Sequence, residues 1–431
     1  MMGISRWCSA TMAVAGLLAP AGLPAQATVG HDSVLARLTT EAWSAAPAAL
    51  RSEALAQAMA RRVRPAGALP DPMLSVGIMD LTLPRLAFRE SDFTEVDIEV
   101  TQQFPWPGSR GAATGGARAR ARGAAAETAS LRRSLVVQVA ELYYRLRYVV
   151  TAQQLLAKQR ALWSSTVEIA DARYGTGSVP QGDPLQARIG LARLITEQAA
   201  LGGEETGLRS ALRALRGIRG VDTVPVVPLA ADSVVVALAA TAAGEGDHLA
   251  LTDSLRAHPR LSARRAATEA AEAAVRETAL AGRPDFELTV RYGARPLGAD
   301  FFSAFAGIRV PLWAGRKQRL LTQAAQLEAT AARQGQSEEA AALSSELERT
   351  VAEARAGAVQ LRLLVSSVLP LTREGVGAAL RDYRTGRAAF LGVFTAVDTH
   401  YRAELEAAEV AARHLTHLVM LGQLLEPEDT P

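Results

Sequence analysis

The sequence predicts a mainly α-helical chain with a small β part, assembled twice over from one unit: a β-hairpin followed by a long helical hairpin. Three observations carry that prediction. A turn phrase recurs, reading Ala172-Arg-Tyr-Gly-Thr-Gly-Ser in the first half and Asp382-Tyr-Arg-Thr-Gly-Arg in the second, with Tyr174 matched to Tyr383 and Gly177 to Gly386. Two pairs of segments alternate apolar and polar residues with a period of two, and proline-poor tracts with heptad spacing surround each turn phrase.

The elements follow in order. Residues 32–64 carry Leu35, Leu38, Ala42, Ala46, Leu50 and Leu55 at near-helical spacing, with Pro47 a break or a first-turn residue. Strands are predicted at 72–80 and 94–104, where Val96, Ile98 and Val100 alternate with Glu95, Asp97 and Glu99. The second hairpin is expected at about 285–312, with Phe286, Leu288, Val290 and Tyr292 alternating with Glu287, Thr289 and Arg291. Each hairpin is left by a similar phrase, Phe104-Pro-Trp-Pro-Gly and Val310-Pro-Leu-Trp-Ala-Gly, in which proline ends strand pairing. Residues 109–174 then contain no proline, and at 1.5 Å per residue they span about 100 Å. Leu135, Val139, Leu142, Leu146 and Val149 step by four and three, which is a coiled-coil seam.

Both turn phrases read as tips of helical hairpins. Gly177 and Gly386 supply the left-handed backbone a helix end requires, and Asp183-Pro184 is expected to cap and open the returning helix. The return path runs over 184–216, an irregular segment at 218–248 rich in Val, Pro and Gly, and a helix over 249–281. In the second half a helix is expected over 315–383, interrupted only by Pro370, and another from Phe390 to about 425. The organisation is thus a first repeat at 28–217, the irregular segment, a second repeat at 249–425 and a short tail at 426–431.

Composition narrows the function. Aromatic residues are only 5%, both charge signs are spread along the helices, and the formal net charge of +3 singles out no polyanionic partner such as nucleic acid. Arg6 precedes an apolar run ending near Leu18, and Ala25-Gln-Ala27 supplies small residues for cleavage, the layout of a secretory signal peptide over 1–27. The one cysteine, Cys8, lies inside it, so the mature chain is expected to carry no disulfide and no lipid anchor. Beyond it no membrane-spanning helix is expected, since the apolar tract at 224–243 is broken by Pro225, Pro228 and Asp232.

Four amphipathic strands cannot close a barrel alone, and lipid does not tolerate open strand edges. If the apolar faces meet lipid, at least two copies must pool their strands, with Glu95, Asp97, Glu99 and Glu287 lining water. Trp106 and Trp313 then sit where a barrel carries interfacial aromatics.

The signal peptide, the duplicated Tyr-x-x-Gly tips, the paired hairpins and the Pro-aromatic-Gly exits resemble the TolC family of outer-membrane efflux channels. The resemblance spans about 32–425, and Pro70-Asp-Pro-Met-Leu-Ser-Val-Gly-Ile78 is most like the heavy-metal CzcC and CusC branch. It implies a homotrimer with a twelve-stranded β-barrel in the outer membrane of a Gram-negative-type bacterium and a helical tunnel in the periplasm. It further implies docking onto a periplasmic adaptor and an inner-membrane pump of the RND type. The adaptor-docking surface would be Tyr174, Gly177, Leu185, Gly386, Leu391 and Phe394. The periplasmic gate would pair Asp183 with Tyr383 across protomers, with Arg387 standing in for an arginine the family places where this chain has Ala388. Gly392 and Thr395 occupy the positions of the family's two pore-entrance aspartates, so no acidic ring carries over.

His414 and His417, three apart, read as a surface pair rather than a metal site. No phosphate loop, nucleophile triad or HExxH occurs, so no enzyme, cofactor or resident metal is expected. The competing reading is a soluble periplasmic coiled-coil adaptor, against which stand two helical hairpins, each preceded by amphipathic strands.

Overall fold

The computed structural model describes residues 32–81, 89, 91, 93–220, 224–235 and 255–425. The expected signal peptide, most of the loop between the first two strands, the far part of the irregular segment and the tail lie outside the described residues.

Helix α1 (Ser33–Ala45) starts where the Asp32 carboxylate accepts the Leu35 N–H at 3.2 Å, and α2 (Pro47–Ala66) opens on Pro47, whose missing N–H is harmless in a first turn. Strands β1 (Met73–Met79) and β2 (Glu95–Phe104) follow, and Gly108, at φ +96°, turns the chain into α3 (Ser109–Gly175). The 67 residues of α3 are a rod of about 100 Å. Helix α4 (Gly182–Leu215) returns along it.

Residues 224–230 have no regular structure and are strapped to both helices through side chains. Thr151 Oγ1 accepts the Leu229 N–H at 2.8 Å, Arg147 Nε donates to the Val227 carbonyl at 2.9 Å, and Arg209 Nη1 to that of Val224 at 3.2 Å. A helical turn at 231–235 and a 3-10 turn (Leu255–Ala257) precede α5 (Pro259–Leu280), which begins later than the sequence pattern implied because His258 caps it. Strands β3 (Asp285–Ala294) and β4 (Phe301–Arg309), helices α6 (Gln318–Leu363), α7 (Leu369–Arg384) and α8 (Phe390–Leu425) complete the order.

Three expectations need correction. Pro370 does not break the second long helix. A π-helical turn at Leu364–Val368 widens the spiral just ahead of it, relieving the clash between the proline ring and the preceding turn, so 318–384 run on as one 67-residue rod. Strand β4 ends at Arg309, short of 312, since Val310 is followed by Pro311 and a turn whose Arg316 and Lys317 N–H groups bond to the Trp313 carbonyl. The same 318–384 tract holds a stretch apolar enough by length and composition to cross a membrane, where none was expected, and only 6% of that stretch is buried within the chain.

The four strands form one antiparallel sheet in the order β1-β2-β3-β4, so the two hairpins pair with each other through β2 and β3, leaving β1 and β4 as edges. The pleat separates two faces. Leu74, Val76, Ile78, Val96, Ile98, Val100, Leu288, Tyr292, Phe302 and Ile308 are exposed on one, while Glu95, Asp97, Thr101 and Thr289 are buried on the other. Helix α3 packs against α2, α4, α5 and α8, and α6 against α5 and α8. Near the tips the core is built on Trp163, Tyr383, Phe390, Val393, Val397 and Tyr401.

Candidate functional site

Both tips close in the same way. The Ser178 N–H reaches the Arg173 carbonyl at 2.9 Å and the Gly177 N–H that of Tyr174 at 2.9 Å; in the second copy Arg387 bonds to Asp382 at 2.8 Å and Gly386 to Tyr383 at 3.1 Å. With Gly177 at φ +68° and Gly386 at +74°, each is a Schellman turn, which satisfies the last carbonyls of a helix and requires a left-handed residue. Helix α4 starts one residue before the Asp-Pro signal, because the Asp183 N–H already bonds to the Pro180 carbonyl at 3.1 Å; Asp183 is a first-turn acid and not the cap.

The duplicated tyrosines occupy opposite environments. Tyr174 is 46% exposed, whereas Tyr383 is 1% exposed. Tyr383 lies edge-on to Phe390 at 5.7 Å, and the Arg173 guanidinium covers its ring at 4.6 Å from the centroid while donating through Nη1 to the Tyr383 carbonyl at 2.5 Å. The Tyr383 phenol has its pKa raised, first by burial and then by the charge of Asp183 in the same protomer, against the lowering effect of Arg173. Asp183 of the same chain is near enough for its charge to act on the phenol, yet the buried Tyr383 hydroxyl makes no hydrogen bond, so the bond the resemblance implies between protomers has a vacant donor here. The cation beside the tyrosine is Arg173 from the first tip; Arg387 is exposed and contributes its backbone N–H to the turn.

Of the expected docking residues, Leu185, Leu391 and Tyr174 are exposed, whereas Phe394 is half buried with its ring 5.2 Å from Trp163. Positions that correspond in the repeat thus differ: Leu185 faces out and Phe394 leans into the hairpin.

On the sheet, Trp106 stacks on Phe286 at 5.7 Å and donates its backbone N–H to Asp285 at 3.0 Å, while Trp313 is 71% exposed. The polar face is not a bare acidic surface. Arg291 pairs with Glu95 and approaches Asp97 at 3.5 Å, Arg295 approaches Glu95 at 3.5 Å, and Arg309 pairs with Glu287 at 3.3 Å. The strand alternation placed Arg291 with the acids; Arg295 lies beyond the strand, where no periodicity speaks for it.

The histidine pair is a further correction. His414 is buried, its ring against Gly357 of α6, and only His417 reaches solvent, 3.5 Å from Glu353. Glycine at 357 makes the room that turns a presumed surface histidine into a packed one. Among the described residues no three His, Cys, Asp or Glu side chains are grouped to hold a metal ion.

No family model matches this sequence, and no curated protein matches it by sequence. Solved structures do match. The outer-membrane channel OprN aligns with a TM-score of 0.79 at 18% identity, over 92% of this chain and 90% of its own. CusC, which forms a transmembrane channel, aligns at 0.78 and 14% identity over 92% of each chain. The outer membrane protein VceC of Vibrio cholerae aligns at 0.74 and 18% identity, over 91% of this chain and 95% of its own. With more than nine tenths of the chain aligned to each of these structures, the chain has the fold of the TolC-type outer-membrane channels.

Proposed function

We propose that this chain is the outer-membrane exit duct of a tripartite efflux system. Three copies pool their strands into a twelve-stranded barrel, and their helices continue it as a periplasmic tunnel whose tips dock onto an adaptor serving an RND-type pump. The cargo class is metal cations or drugs, with the metal reading resting on the likeness of 70–78 to the CzcC and CusC branch. Transport through the duct is passive, and the pump supplies the energy. In the closed state Asp183, Tyr383 and Arg173 hold the second tip inward.

One observation carries the reading: a sheet with an exposed apolar face, a buried polar face and two unpaired edges, β1 and β4, in one chain. In water such edges invite aggregation, and in lipid they demand closure by another copy. The exposed leucines of α6, among them Leu320, Leu321 and Leu327, likewise suit contact between copies better than solvent. The test is fractionation of cells expressing the full chain, followed by chemical crosslinking. The expected result is retention in the outer membrane after a high-salt wash and a crosslinked trimer. A monomer released by salt without detergent would refute the channel and favour the soluble adaptor.

A further inference from the structure

The outward end of the sheet, away from the helices, carries a built arrangement that the fold does not require. Across the four strands the register sets Gly77, Asp97, Gly293 and Phe301 opposite one another on the polar face. Side chains of neighbouring strands fill the space a Cβ would take at both glycines. A Cβ at Gly77 would lie 2.8 Å from Asp97 Oδ1, and one at Gly293 would lie 2.6 Å from the Phe301 ring. The Phe301 ring therefore lies across Gly293, an aromatic covering a strand glycine, and extends toward Glu95. Onto that ring fold two arginines, Arg295 at 4.6 Å from its centroid and Arg291 at 5.7 Å. Their guanidinium groups meet Glu95 and Asp97, which are only 5% and 7% exposed.

We propose that Arg291, Arg295 and Phe301 form a charge-balancing collar at the outward end of the lumen, which suppresses the cation selectivity that Glu95 and Asp97 would otherwise impose. The proposal rests on the trimeric-barrel reading, in which three such clusters ring one pore. Rings of charged side chains set ion selectivity because their field acts at close range on an ion that has shed part of its water. Here each carboxylate at the ring is covered by a fixed cation, so the pore meets paired charge instead of six bare acids. The Phe301 ring lies behind both guanidinium groups, 4.6 Å from Arg295 and 5.7 Å from Arg291, which keeps the cations against the wall as cargo passes. The collar thus suits cargo of either sign.

The experiment is reversal-potential measurement on the full chain in planar bilayers across a potassium chloride gradient. Arg295→Gln is the first variant, since that side chain is the more exposed of the two arginines, at 34% against 19%. It should raise the potassium-to-chloride permeability ratio several-fold over wild type, and Arg291→Gln should act in the same direction. Glu95→Gln should lower the ratio, and Arg295→Lys, which keeps the charge, should leave it near wild type. Channels that form in all variants with one shared ratio overturn the collar alone. A wild-type chain that forms no channel overturns the trimeric reading and the collar with it.

Discussion

Tyr383 and Tyr174 are one residue type at equivalent places in a repeat, yet one is buried under a guanidinium and the other stands in solvent. The difference lies in Arg173, which reaches from the first tip to the second and bonds the last turn of α7 through the Tyr383 carbonyl. A cation at a helix C-terminus stabilises the exposed carbonyls, and a cation–π contact from a half-buried arginine adds about 1 kcal/mol. Arg173→Ala is therefore expected to loosen the second tip, faster amide exchange at 383–387 being the direct readout and a larger single-channel conductance the functional one. Unchanged exchange there would remove the clamp. His258 supplies a pH test. Its Nδ1 accepts the Arg260 N–H at 3.3 Å and caps α5, so the ring must be unprotonated to do so. Burial first, then Arg133 and Arg260, hold its pKa down at about 4. The folded value is below the unfolded one, so its stabilising share is present in full above about pH 6.5 and is lost as pH falls through about 4, on the order of 3 kcal/mol. Histidines 414 and 417, also lowered by burial, act in the same direction. His258→Asn keeps a capping oxygen and removes the titration, so the melting temperature of detergent-solubilised protein should fall less between pH 6.5 and 4 than in wild type. An equal fall would assign the acid sensitivity elsewhere.

At the scale of elements, the first helical hairpin depends on one small residue. Gly190 of α4 faces Trp163 of α3, and a Cβ there would sit 3.0 Å from the indole. Trp163 cannot retreat, since Phe390 and Phe394 pack against its other sides at 6.1 and 5.2 Å. Gly190→Val should therefore overpack the hairpin and cost about 1–3 kcal/mol, read as a lower melting temperature and faster proteolysis of the tip half, while exposed Gly203→Ala should not. Much of this architecture was readable beforehand. Period-two alternation at 95–100 and 285–292 located the strands, and Gly177 and Gly386 located the tips, because these signals are local and each has one physical cause. The π turn ahead of Pro370 was not readable, since a proline signals a lost N–H but not how the helix absorbs it. Arg173 and the burial of His414 were missed for another reason, since each depends on a residue more than 50 positions away, Tyr383 or Gly357; Phe301 was missed because it meets Gly293 across one short loop whose register a lone sequence leaves open.

For the whole molecule, the decisive question is which way the sheet faces. Neighbouring rows across its strands have opposite character: Val76, Ile98, Tyr292 and Phe302 form one, and Ser75, Glu99, Arg291 and Ser303 a row on the other face. Adjacent residues of β1 therefore test opposite environments with the same substitution. An arginine on the lipid side of a membrane barrel costs about 2–4 kcal/mol at the bilayer midplane, and in a trimer the cost recurs in each copy. On the lumen side the same arginine meets water and, from position 75, an acid on the facing strand. Val76→Arg is thus expected to abolish the heat-modifiable oligomer in the outer-membrane fraction, whereas Ser75→Arg, opposite Glu99, should assemble at close to wild-type yield. Equal assembly of both variants would mean that the apolar face does not meet lipid, since a bilayer core does not accept a guanidinium without loss.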